Sequence, residues 1–142
     1  MRSNMYIARK EDSPEVILDA TKKKFSITGV SMPEDSLTFY RPIIQWLEEY
    51  VAQPFDSLCL DIKLLYFNTA SAKEIARTLA TLNACDQSDK ITVRWFYDHN
   101  DPENLDSCKR YELIPLRYEY YEFDFTSIEQ ADEPEGSYHI IS

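Results

Sequence analysis

From residue 31 onward, segments with helical periodicity alternate with short apolar runs typical of β-strands. The clearest strand-like runs span residues 57–67 and 91–97, and a helical pattern over residues 71–84 lies between them. Parallel strands must be joined by a crossover, which is usually a helix. The alternation therefore predicts a single α/β domain, with helices packed on a mixed or mostly parallel sheet.

Further elements are predicted on both sides of this region. An extended segment begins near Met5, and residues 16–19 and 25–29 form a predicted hairpin. A short helix is expected to begin at Pro102, and a last strand to span residues 116–125. We therefore expect residues 1–125 to form the folded domain and residues 126–142 to be an acidic C-terminal extension.

The first helix is predicted to open at residues 31–34, with Ser31 or Met32 as the N-cap. Its helical spacing is kept by Leu37, Tyr40, Ile43, Ile44, Leu47 and Val51. Pro42 interrupts this run, so it either kinks the helix or separates a first turn from the main helix. The strand over residues 57–67 ends in four apolar residues, which predicts a central strand covered on both faces.

The charge balance limits the classes of partner. The 142 residues contain 15 Lys and Arg against 25 Asp and Glu, a net charge of −10. This argues against binding to nucleic acid or to an anionic membrane surface, and favours a basic partner. The extension has no Lys or Arg, so it is either a solvated tail or an arm that docks on a basic partner or folds back on the domain.

Composition also bears on the compartment and on catalysis. The cysteines, Cys59, Cys85 and Cys108, form no CxxC motif, and no apolar run approaches the length of a membrane span, so we expect a cytoplasmic protein. With only two glycines and two histidines, the chain has no glycine-rich phosphate loop and no metal-binding histidine pair. We expect no cofactor, no metal and no enzyme activity.

One alternative to this non-catalytic interpretation is a small enzyme with a metal held by Asp98 and Asp101. The segment that begins at Asp98 lacks the glycine and glutamate of a calcium loop, so a solvated turn that caps a short helix is favoured.

The junction Asn68-Thr69-Ala70-Ser71 places small polar residues where a strand runs into a helix. Ser71 and Glu74 match a capping box, so capping alone explains these residue types. The other hypothesis is phosphorylation of Thr69, which would add negative charge at the positive end of the helix, with Lys73 one turn further on.

Several short motifs, taken in their order along the chain, resemble those of the SiaC family of regulatory phosphoproteins. They are Gly29-Val30-Ser31-Met32-Pro33-Glu34, Phe39-Tyr40-Arg41-Pro42, Trp46-Leu47, Tyr50, residues 66–73 and Trp95-Phe96-Tyr97-Asp98. The resemblance covers roughly residues 5–123 and weakens after Asp98. The family usually has an acidic segment followed by a glycine there, whereas residues 106–109 of this chain contain no glycine.

The resemblance implies a STAS-like fold and a partner switch without catalytic activity. In such a switch, a kinase phosphorylates a threonine that matches Thr69, and a phosphatase removes the phosphate. The unphosphorylated protein activates a partner enzyme, by resemblance a diguanylate cyclase. Ser71 is the second choice of acceptor, with Asn68 and Lys73 in the acceptor's surroundings. A constitutive scaffold, in which these residues are only caps, is the alternative.

Overall fold

The computed structural model describes residues 3–126. The helices and strands follow one another as β1 (Met5–Ile7), β2 (Glu15–Asp19), β3 (Lys24–Ser31), α1 (Ser36–Val51), β4 (Leu58–Phe67), α2 (Thr69–Asn83), β5 (Ile91–Asp98), α3 (Pro102–Lys109) and β6 (Arg117–Phe123). Short 3-10 helices, Ser88–Lys90 and Arg110–Leu113, precede β5 and follow α3. The predicted mixed α/β fold is confirmed, whereas all but the first residue of the predicted extension lies outside the described residues.

All six strands form one sheet, in which the spatial order of the strands is their chain order. β1, β2 and β3 pair antiparallel, as the predicted hairpin requires, and β3, β4, β5 and β6 pair parallel. Because the three parallel crossovers all step in the same direction and such crossovers are right-handed, α1, α2 and α3 cover the same face of the sheet. No helix within residues 3–126 is long and apolar enough to cross a membrane.

The main core lies between this face of the sheet and the helices. Alternate residues of the central strands are buried there: Leu58, Leu60, Ile62 and Leu64 from β4, and Ile91, Val93 and Trp95 from β5. Ile43 and Leu47 of α1 and Ile75 and Leu79 of α2 cover them. Each such side chain contributes about 1.5–3 kcal/mol when it is fully buried, so this layer dominates the stability of the fold.

A shift of register interrupts the pairing of β3 with β4. Gly29 pairs with Leu64 and Val30 with Tyr66, which leaves Leu65 without a partner residue in β3. An extra residue in one strand reverses the alternation beyond it. Tyr66 therefore faces solvent, 54% exposed, and Phe67 turns towards Trp95 and Tyr111 on the helix side. The predicted central position of this strand is confirmed, but its end is covered on both faces only in part: Leu65 packs against Phe125, whereas Tyr66 is exposed.

The predicted start of α1 is also wrong. Ser31 is the last residue of β3 and pairs with Phe67, so it cannot cap a helix. The N-cap is Asp35, whose carboxylate accepts hydrogen bonds from the backbone N–H and the hydroxyl of Thr38. Pro42 lies inside a continuous α1, so it does not break the helix as one prediction had it.

The sheet face opposite the helices bears a smaller apolar cluster at the end of β4. Phe125, which follows β6, is buried against Leu65 and Phe123, and the Phe123 and Phe125 rings meet edge to face at 4.9 Å. The Lys63 ammonium lies 4.7 Å from the centre of the Phe96 ring, and burial lowers the pKa of Lys63. The chain therefore continues from β6 onto this open face, where the described residues end.

Candidate functional site

The parallel strands bring four chain segments to one edge of the sheet. β3, β4, β5 and β6 all end at this edge, which we call the carboxyl edge, and in sheets of this kind ligand sites are commonly found there. β4 passes directly into α2 at this edge, and the Asn68 backbone N–H donates to the Ser31 carbonyl at 3.1 Å. This bond ties the start of α2 to the end of β3.

Asn68 is the N-cap of α2. Its side-chain oxygen accepts a hydrogen bond from the Ser71 backbone N–H at 2.8 Å, and its carbonyl accepts from Ala72. The predicted capping box of Ser71 and Glu74 is therefore wrong. β4 extends to Phe67 and Asn68 is the N-cap, so the helix begins three residues earlier than the box requires.

Thr69 is the first residue of α2 and is exposed. The N–H groups of the first helical turn have no acceptor within the helix, and the helix dipole places partial positive charge there. Lys73, one turn further along, is also exposed. A phosphate on Thr69 would meet favourable charge and would displace nothing from the core.

Ser71 has the opposite environment. Its hydroxyl is fully buried, accepts a hydrogen bond from the Ser31 hydroxyl at 2.9 Å and lies 3.2 Å from the Ser36 hydroxyl. The Ser31 hydroxyl lies 2.6 Å from that of Tyr40, and burial raises the Tyr40 pKa to about 12. This buried hydroxyl cluster joins α2, β3 and α1.

Glu74 adds buried negative charge near this cluster. It is 6% exposed, and its Oε2 lies 3.4 Å from Nε of Arg77. Within residues 3–126, its Oε1 has no hydrogen-bond partner. Its proximity also helps to raise the pKa of Tyr40. A phosphate on Ser71 would have to enter a closed site that already holds a carboxylate, so the geometry favours Thr69 as the acceptor.

Beside Thr69, an apolar groove of about 420 Å³ runs between α2 and the segment that follows α3. It is lined by Phe67, Thr69, Ala72, Lys73, Ala76, Ser107, Arg110, Tyr111, Leu113 and Ile114. Leu113 is 93% exposed, so part of the apolar lining faces solvent. We call this feature the Thr69 groove; Lys73 and Arg110 make its lining locally basic.

The floor of the Thr69 groove is held in place by aromatic packing. The rings of Tyr111 and Trp95 stack at 5.2 Å, and Phe67 packs against both. The Tyr111 hydroxyl donates to the Ala72 carbonyl at 3.1 Å, which links the segment after α3 to the first turn of α2. Thr69 and the groove beside it therefore belong to one packed unit.

The sequence prediction placed Asn68, Thr69, Ser71 and Lys73 at one site, and the structure brings them together in the first turns of α2. It missed Arg110 and Leu113, because they lie between the start of the predicted helix at Pro102 and the strand predicted over residues 116–125, where no motif was recognised. The signal that could have revealed them is the apolar pair Leu113-Ile114 directly before Pro115, outside any strand or helix pattern.

A second hollow adjoins the groove and shares Phe67, Ser107 and Arg110 with it. Its lining also includes Leu65 and the acidic residues Asp101, Glu103 and Asp106. The Asp101 side chain accepts from the Glu103 N–H and caps α3, as the predicted solvated turn requires. Within residues 3–126, no group of three His, Cys, Asp or Glu side chains is placed to hold a metal ion.

Solved structures of known proteins have the same overall fold. SiaC of Pseudomonas aeruginosa has a similar structure, with a TM-score of 0.77 and 27% identity over 86% of this chain and 100% of that one. The crystal structure of the diguanylate cyclase SiaD in complex with its activator SiaC, from the same organism, matches with a TM-score of 0.77 and 26% identity over 84% of this chain and 99% of that one.

A curated relative, an uncharacterized protein of P. aeruginosa strain UCBPP-PA14, is 31% identical over 100 residues, which is 70% of this chain and 79% of that protein. The family described as SiaC family regulatory phosphoprotein matches residues 7–121. The chain belongs to the SiaC family of regulatory phosphoproteins.

Proposed function

We propose that this protein is a non-catalytic cytoplasmic regulator that binds and activates a diguanylate cyclase when Thr69 is unphosphorylated. A cognate kinase adds the phosphate and a phosphatase removes it. The observation that carries the proposal is the exposure of Thr69 at the start of α2, next to the Thr69 groove and its cations, Lys73 and Arg110. The cyclase partner is supported by the solved complex of SiaC with SiaD.

The groove is suited to a segment of the partner with apolar side chains flanked by carboxylates. Leu113 and the aromatic floor offer apolar surface, and the Lys73 and Arg110 cations lie beside it. This local charge differs from the whole-chain balance of −10, which by itself favours a basic partner. The docking surface is thus an apolar and basic region on an acidic protein.

A phosphate on Thr69 carries close to two negative charges at neutral pH. It would compete with the carboxylates of the partner for Lys73 and Arg110. It would also have to lose water when a partner covered the groove, which is costly for an ion without full compensation. Both effects weaken partner binding and leave the fold of the regulator intact.

The test uses two immobilised baits, Thr69→Ala and Thr69→Glu, exposed to a lysate of the protein's own cells. The readout is conversion of GTP to cyclic di-GMP by the retained proteins. We expect Thr69→Ala to retain this activity and Thr69→Glu to retain less than a tenth of it. Ser57→Glu adds the same charge at an exposed position on the opposite edge of the sheet and should behave like wild type.

Equal cyclase activity on both Thr69 baits would overturn the switch and favour a constitutive scaffold. Absence of activity on every bait would overturn the cyclase as the partner. Turnover of a substrate by the purified protein alone would contradict the non-catalytic assignment.

A further inference from the structure

The described chain ends beside a surface that leads to the Thr69 groove. Phe125 is buried against Leu65, near the end of β4. Leu65 lines the acidic hollow, and that hollow shares Phe67 and Arg110 with the groove. A segment that continues from Thr126 therefore starts at the carboxyl edge of the sheet, on the edge that also carries Thr69.

The composition of residues 127–142 matches the groove. The segment contains the acidic residues Glu129, Asp132, Glu133 and Glu135, the apolar residues Ile128, Tyr138, Ile140 and Ile141, and no Lys or Arg. The groove offers the complementary set: an apolar floor, the exposed Leu113, and the cations of Lys73 and Arg110. The carboxylates of Asp101, Glu103 and Asp106 disfavour binding in the hollow and favour the groove beyond it.

The length of the segment is sufficient. An extended chain spans roughly 3.3 Å per residue, so the apolar residues near its end can lie about 40 Å from Thr126. A domain of this size has a radius of gyration of about 14 Å, and the groove lies at the same edge of the sheet as Thr126, so the groove is within reach. The segment also lies beyond residues 7–121, the region that the SiaC family matches.

We propose that residues 127–142 bind in the Thr69 groove of the same molecule when no partner is present. The apolar side chains cover Leu113, and the carboxylates pair with Lys73 and Arg110. The segment is then an internal competitor of the partner. That competition rests on the proposed function, whereas the intramolecular binding does not.

The binding is tested in the full chain, without a partner, by NMR with a nitroxide label on Ser137→Cys. Cys59→Ser and Cys85→Ser remove the two cysteines that are not buried. We expect amide signals of residues 69–76 and 110–114 to lose more than half their intensity. Signals retained in these regions would overturn the proposal, as would broadening that appears only across the open sheet face.

A mixture of nitroxide-labelled chains with isotope-enriched chains that carry no nitroxide tests whether the segment binds a second copy of the protein. Broadening of the groove signals in this mixture would mean that the segment binds another molecule, and would overturn intramolecular docking. No broadening in the mixture, combined with broadening within one chain, is the expected result.

Charge variants give an independent readout. Glu129→Gln, Asp132→Asn, Glu133→Gln and Glu135→Gln together should shift the amide signals of Lys73, Arg110 and Leu113 and abolish the broadening. The matched control neutralises four acids at the opposite edge of the sheet, with Glu48→Gln, Asp56→Asn, Asp86→Asn and Asp89→Asn, and should change none of these signals. Equal effects of the two sets would overturn the proposal.

The same variants separate this proposal from the partner switch. If both are right, the variant with the four neutralised acids in residues 127–142 retains at least about threefold more cyclase activity than wild type from a limiting amount of lysate. The control variant retains as much as wild type. If the groove signals broaden but the Thr69→Ala and Thr69→Glu baits retain equal cyclase activity, only the switch is refuted. A working Thr69 switch without broadening would refute only the internal competitor.

Discussion

Thr69 and Ser71 lie in the same turn of α2, but the Thr69 side chain faces solvent and the Ser71 hydroxyl is sealed against the Ser31 hydroxyl at 2.9 Å. The two candidate acceptors therefore differ in access, although they are two residues apart. A regulatory charge can be added at Thr69 without changing the packing of α2 on α1. At Ser71 the same charge would separate these helices.

This difference predicts effects of very different size for glutamate at the two positions. Thr69→Glu should change the free energy of unfolding by no more than about 0.5 kcal/mol, because the site is exposed and the helix dipole favours the charge. Ser71→Glu should destabilise the fold by several kcal/mol, because it buries an unpaired charge near Glu74. Urea unfolding measures both. Similar stability of the two variants would contradict the buried hydroxyl cluster.

The N-cap of α2 gives a second prediction. Asn68→Ala should lower the free energy of unfolding by about 1 kcal/mol, since the Ser71 N–H loses its acceptor. Thr69→Ala should have a much smaller effect. A loss of about 1 kcal/mol for Thr69→Ala, with none for Asn68→Ala, would instead make Thr69 the cap and support the capping-only alternative. Chemical denaturation at pH 7 distinguishes these results.

Gly29 should not tolerate a side chain. Its φ of +131° is unfavourable for other residues, and an added Cβ would lie 2.9 Å from Nε of Arg9. We expect Gly29→Ala to cost on the order of 1–3 kcal/mol of stability. Lys23, at φ +53° in the hairpin turn, is the control. Lys23→Gly should be neutral or slightly stabilising, and an equal loss in both variants would contradict the requirement for glycine at position 29.

Tyr40 predicts a loss of stability in alkaline solution. Burial raises its pKa from 10.0 to about 12, with a further contribution from Glu74. Its stabilising contribution is complete below pH 10, where the phenol is protonated in the folded and the unfolded chain. It is lost as the pH rises from about 10 to 12, because the unfolded chain releases its proton first.

A shift of this size corresponds to roughly 3 kcal/mol. Tyr40→Phe should be less stable than wild type at pH 7, because it loses the hydrogen bond to Ser31. Between pH 10 and 12 its stability should fall less steeply than that of wild type. Urea midpoints measured at each pH test this, and parallel curves for the two proteins would contradict it.

Most of the fold was predictable from the sequence because its strands and helices have clear periodicity. In β4, alternate leucines and Ile62 mark the buried face, and the crossover helices follow from the parallel order. The helix starts were less accurate, because Ser31 and Ser71 are residue types that commonly cap helices. Tertiary pairing instead uses Ser31 in β3 and places the Ser71 hydroxyl in a buried cluster.

The candidate site was predictable only in part. Asn68, Thr69 and Lys73 are close in sequence, so local reasoning found them. Arg110 and Leu113 reach the same groove from a segment after α3, and no local pattern predicts that distant contact. Cys59 lies in the apolar run of β4 but is exposed, because it falls on the open face of that strand.

Mass spectrometry of the protein purified from its own cells shows whether Thr69 carries a reversible phosphate. Intact mass and peptide sequencing are measured with and without phosphatase treatment, under several growth conditions. We expect a single phosphate on Thr69, which phosphatase removes, and none on Ser71. A phosphate on Ser71, or no phosphate under any condition, would contradict this expectation.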